Sequence, residues 1–121
     1  MSVIDNATNK VVACGHWDIF PDQRTPEQME DLTSFPPAPA SANADAWSDF
    51  FENFAERRRT ILGTKPAAIL CTLTTHPAHH RRGAGAMLME QFLKNVDDAG
   101  LEAYLEASEM GKPLQIWRHW C

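Results

Sequence analysis

From Asp45 the apolar residues take on a helical period: Trp47, Phe50, Phe51 and Phe54 share one face, while Asp49, Glu52, Glu56 and Arg57 fall mainly elsewhere. This predicts an amphipathic helix that packs through its aromatic side. It ends in "ERRRTILG", whose Arg57, Arg58 and Arg59 complement the helix dipole as a solvated helix end rather than forming a nucleic-acid patch. Upstream the period is shorter. Val3 and Ile4 begin a strand, "DNATN" supplies turn formers, and "KVVACGHWDIF" is β-rich with rough alternation, so the chain opens on a hairpin. "TPEQMEDL" predicts a short helix with Thr25 as N-cap, Pro26 at the first helical position and Gln28 completing a capping box. "FPPAPASANA" follows as a surface linker over about residues 35–44, too rich in proline for a central strand or a helix interior.

Past Lys65 the pattern changes again. "AAILCTLTT", between Pro66 and Pro77, is too short for a helix and predicts a buried strand, with Ile69, Cys71 and Leu73 on one side and Leu70, Thr72 and Thr74 on the other. From about Gly85 to Ala99 a helix is expected, with Leu88, Phe92, Val96 and Ala99 as its apolar stripe, Met89 and Leu93 widening it, and Gly100 ending it. "LEAYLEAS" predicts a further strand. The elements give a mixed α/β sheet with packed helices.

Composition narrows the function classes. The chain has 121 residues, 44% hydrophobic and 22% charged, which fits one globular domain. Asp and Glu outnumber Lys and Arg by 16 to 11, and a net charge of −5 argues against a partner that is nucleic acid or an anionic membrane. Three cysteines, Cys14, Cys71 and Cys121, with no Cys-x-x-Cys spacing support neither a disulfide framework nor a zinc ribbon, so a reducing compartment is expected. With no apolar run of membrane length and no signal-peptide pattern, the expected location is cytoplasmic, the nucleus remaining open.

The chemistry concentrates in "THPAHHRRGAGAMLMEQFL". A strand, a proline, a basic turn with Gly83 and Gly85, and then a helix bring unpaired N–H groups and the positive end of a helix dipole to one point, an anion site. Glycine lets the backbone approach a phosphate, and Arg81 and Arg82 add charge-assisted hydrogen bonds, so the turn from Arg81 through Ala84 to Ala86 is the candidate phosphate loop. No Gly-Lys-Ser/Thr follows, which excludes a P-loop, and Leu88 stands where a dinucleotide fingerprint needs its third glycine. His76, His79 and His80 sit on a turn with no carboxylate or thiolate at ligand spacing, so no metal is expected. Cys71 reads as a small core residue rather than an acyl-carrying nucleophile.

The stretch "ILCTLTTHPAHHRRGAGAMLMEQFLKNVDDAGLEAYLEAS" resembles the acetyl-CoA-binding segment of the GNAT (Gcn5-related N-acetyltransferase) superfamily. The family's Gln/Arg-x-x-Gly-x-Gly/Ala loop maps onto His80-Arg81-Arg82-Gly83-Ala84-Gly85, with His80 in the Gln/Arg position. The hairpin and the aromatic helix look like those of fungal members. The resemblance implies a partial GNAT fold and transfer of an acetyl group from acetyl-CoA, as acyl-donor substrate, to an amine of unknown identity.

In such a protein the pantetheine arm lies between two splayed strands and pairs with the main chain around Leu73, Thr74 and Thr75, while Ser108 falls where the family places a polar contact to the pantetheine or to the next helix, a position that a helix cap explains equally well. His76, near the acyl group, is a candidate base, although a turn cap is its commoner role; His16 and Asp18 are more distant candidates. In place of the family's acid, a tyrosine, the chain has Gln115. The flanking segments of the family are missing at both ends, which implies a core that binds acyl-CoA with impaired turnover, as an interaction module would, and an open sheet edge prone to self-association.

Overall fold

The computed structural model describes residues 1–107. The described residues form two compact units, one of residues 1–21 together with 67–107, the other of Asp22–Pro66.

In the first unit four strands form one sheet in the order β1 (Ser2–Asp5), β2 (Lys10–Phe20), β3 (Ala67–Thr75), β4 (Glu102–Leu105). β1, β2 and β3 are antiparallel neighbours, and β4 runs parallel to β3. A parallel neighbour cannot be reached by a tight turn, and α3 (Ala84–Ala99) provides the crossover. The β1–β2 turn is closed by Asp5, whose carboxylate accepts from the Ala7 N–H at 2.9 Å, and Asn9 takes the left-handed conformation that closure needs, at φ 55°.

The core of this unit lies between the sheet and α3. Leu88, Met89, Phe92 and Val96 of α3 are buried, against Ala68 and Leu70 of β3 and Ala13 of β2. Trp17 stacks on Phe92 with ring centroids 5.5 Å apart. The helix ends at Gly100, φ 66°, whose N–H returns to the last turn, as its place after the apolar stripe predicts. Ala99, expected in the stripe, is exposed.

β3 departs from the expected alternation. Gly15 pairs with Leu73 and His16 with Thr72, but Trp17 pairs with Leu70, so β3 carries one residue more than β2 and Cys71 is the extra one. This bulge turns both Leu70 and Leu73 toward the α3 core, although period-2 counting puts them on opposite sides. Burial changes at the same point. Ala67 to Leu70 are buried, whereas Cys71, Thr72 and Thr74 are exposed, so the strand is half a core strand and Cys71 is not a core residue.

The second unit contains α1 (Pro26–Thr33), α2 (Ala44–Arg57) and a π-helical turn over Arg58–Leu62. α1 starts with the predicted capping box: the Thr25 hydroxyl accepts from the Gln28 N–H and the Gln28 amide oxygen accepts from the Thr25 N–H. Phe51 is the hub of an aromatic cluster, with Phe35 at 4.6 Å and Trp47 at 4.7 Å between ring centroids. Phe50 remains largely exposed. Arg58 is not a solvated helix-end cation: its Nη1 donates to the Leu32 carbonyl at 2.7 Å and its guanidinium lies 5.6 Å from the Phe35 ring centroid. Arg24, buried to 3% exposure, donates from Nη2 to the carbonyls of Leu62 and Gly63 and so ties down the end of the π-helical turn.

Candidate functional site

β3 leads into a 3-10 turn over Pro77–His79 and then into α3. Proline at the first position of the turn needs no hydrogen-bond partner, and His76 caps it, its Nδ1 accepting from the Ala78 N–H at 3.2 Å. The His76 N–H donates to the Val12 carbonyl at 2.7 Å, which anchors the base of the loop to β2. The His80 Nε2–H donates to the Thr75 carbonyl at 2.9 Å, and Arg82 Nη1 donates to His79 Nδ1, also at 2.9 Å. Each histidine thus holds the loop to itself or to the strand. Among the described residues no group of side chains is arranged to hold a metal ion.

The loop then turns twice through left-handed backbone. Arg81 has φ 62° and Gly83, the N-cap of α3, has φ 87°. The first is strained for an arginine, whereas the second is what glycine permits without cost. A β-carbon built on Gly83 meets nothing within 4 Å, so the N-cap faces open space. No side chain caps α3, whose first turn is Ala84, Gly85 and Ala86. The N–H groups at the start of a helix have no partner within it, and here they sit beside two arginines. That arrangement suits a phosphate or a pyrophosphate. Asp5, at the β1–β2 turn, is held below the usual carboxylate range mainly by the Ala7 N–H, with smaller contributions from the positive fields of His79 and Arg82.

Among the described residues the β3–β4 pairing stops short of the loop. β3 and β4 are paired from Ala67↔Glu102 to Leu70↔Leu105. Leu73, Thr74 and Thr75 lie beyond the last of these pairs, on the stretch of β3 that runs to the loop, and on their other side they pair with Gly15, Cys14 and Ala13. One locus therefore contains Leu73, Thr74, Thr75, Arg81, Arg82, Gly83, Ala84, Gly85 and Ala86. Ser108 and Gln115 lie outside the described residues. The Tyr104 hydroxyl, on β4, donates to Glu106 Oε1 at 3.1 Å.

A second cluster joins two residues named in the sequence, His16 and Asp18, to Cys71. Asp18 accepts from the Cys71 thiol through Oδ2 at 3.4 Å, and its Oδ1 lies 3.4 Å from His16 Nε2. His16 and Asp18 flank Trp17, which faces α3, so both project from the opposite face of the sheet. Two-residue spacing on one strand was legible as a shared face. The participation of Cys71 was not, because it depends on the bulge.

The described residues thus define an α/β protein with a four-stranded mixed sheet, in which β3 runs through a basic, left-handed loop into the N-terminus of α3. No family model, curated protein or solved structure matches the chain. No described helix is long and apolar enough to cross a membrane.

Proposed function

We propose that the chain is the acyl-CoA-binding core of a GNAT-type N-acetyltransferase, which takes acetyl-CoA as donor and passes the acetyl group to an amine. The observation that carries this is the side-chain-uncapped N-terminus of α3, set behind left-handed Arg81 and Gly83 and next to the point where the β3–β4 pairing ends. The N–H groups of the first turn and the two guanidiniums suit the pyrophosphate. The main chain of Leu73, Thr74 and Thr75 suits the amides of a pantetheine arm. A competing reading, an acyl-CoA-binding module with little turnover, is favoured by Gln115 at the place where the family resemblance calls for a tyrosine acid.

Calorimetric titration with acetyl-CoA tests the site. Gly83→Asp should abolish measurable binding, because an added carboxylate repels the pyrophosphate where the N-cap is open. Gly83→Asn, of the same size and the same strain at this left-handed position, should fold as well as Gly83→Asp and bind only moderately more weakly than the wild type. Equal binding by the wild type and Gly83→Asp would remove the loop from the cofactor site.

A further inference from the structure

We propose that the groove between α2 and the proline-rich segment of the second unit is a binding site for a small ω-amino acid, a ligand with an ammonium and a carboxylate at opposite ends of an aliphatic chain. The site is separate from the loop before α3 and does not depend on the acetyltransferase reading.

The helical period builds one wall. Phe51, Glu52, Ala55 and Arg59 recur at helical spacing and so share one side of α2 and its π-helical extension. Phe35 and Pro36 belong to the facing wall, and the groove holds about 270 Å³. Ala55, 4% exposed, is a floor small enough to give the groove depth. The walls are tied to each other. Trp47 Nε1–H donates to the Pro36 carbonyl at 3.0 Å, and the Phe35 and Phe51 ring centroids are 4.6 Å apart. Proline and packed aromatic rings have little freedom left to lose when a ligand settles against them, which lowers the cost of binding.

The charges of the groove come as an opposed pair. Glu52 and Arg59 both line it. At the rise of a helix they stand about 10 Å apart along the axis. A purely apolar ligand leaves both charges unanswered, a simple cation meets Arg59, and a simple anion meets Glu52. A ligand with both charges answers each and lays its methylenes against Trp47 and Phe51. 6-Aminohexanoate, whose extended chain holds its charges somewhat closer than the two backbone positions, fits because both long side chains can lean inward. The Glu52 side chain has no hydrogen bond or ion pair among the described residues. Arg59 is 54% exposed and meets Glu56 only at 4.0 Å, so its guanidinium keeps donors for a carboxylate.

The test is an NMR titration of the full chain at pH 7 with 6-aminohexanoate, hexanoate and hexylamine, read at the indole N–H of Trp47. At this pH the amino acid is charged at both ends. The wild type should bind it about two- to fivefold more tightly than either singly charged ligand, the range of an exposed ion pair. Glu52→Gln should remove its advantage over hexanoate without weakening hexanoate. Arg59→Gln should remove its advantage over hexylamine without weakening hexylamine. Both residues are exposed, so the variants should keep the fold, which circular dichroism checks. Equal binding of the three ligands would reduce the groove to an apolar patch and overturn the proposal. So would a variant that weakens all three together, or a wild type that binds none of them at millimolar concentration.

Discussion

Arg81 and Arg82 are adjacent, but the fold holds them differently. Arg82 is hydrogen-bonded to His79, while Arg81 is set by its own left-handed backbone. Both side chains are exposed, so their attraction for a phosphate acts through solvent and is screened by salt. Replacing both by alanine should weaken coenzyme A binding by roughly tenfold or more and leave a phosphate-free pantetheine nearly unaffected, since hydrogen bonds to charged groups contribute about 1.5–3 kcal/mol before screening. Salt should reproduce the effect in the wild type. Equal loss of both ligands in calorimetry would indicate a folding defect instead.

At the scale of the element, α3 organises its unit. Phe92 is fully buried, with Met89 and Val96 beside it and Trp17 on its ring. Truncation to alanine leaves a cavity among atoms that cannot all collapse into it. Phe92→Ala should therefore cost about 3–5 kcal/mol in urea unfolding, and a cost under 1 kcal/mol would contradict this packing. Most of α3 was legible in the sequence because its signals are local: the stripe through Leu88, Phe92 and Val96, and Gly100 as its stop. The capping box of α1 was legible for the same reason. β3 was only half legible. Its register belongs to a partner strand more than forty residues away in sequence, and the extra residue at Cys71 leaves no local trace. Arg58 was misread for a related reason, since Leu32 and Phe35, which engage it, come from another part of the chain. The phosphate loop was legible as a motif, but the left-handed turn at Arg81 was not, because arginine carries no preference for it.

For the molecule as a whole, acidity and sheet edges bear on association. In the described sheet β1 and β4 are the edges. β1 exposes Ile4, half accessible, opposite its register partner Val11, 61% accessible. An apolar pair on an edge strand is a template for strand addition, and charge on such a strand is the usual deterrent. We therefore propose concentration-dependent self-association by this edge. Sedimentation velocity should show it in the wild type and find it reduced in Ile4→Lys, with coenzyme A binding unchanged; identical profiles for the two proteins would rule the edge out.

The register of β2 with β3 also bears on how the chain reaches this structure. Phe20 and Ala67 are paired, so in the first unit these two strands are a hairpin whose loop is the whole of residues 21–66. Closing a flexible loop of roughly 45 residues rather than a two-residue turn costs about 3 kcal/mol more in chain entropy. That cost falls before any β2–β3 contact can offset it, which makes the joining of these strands the expected slow step of folding. A loop that is already compact has nearer ends. The speed with which the sheet assembles is then set by how early the intervening α-helical segment condenses.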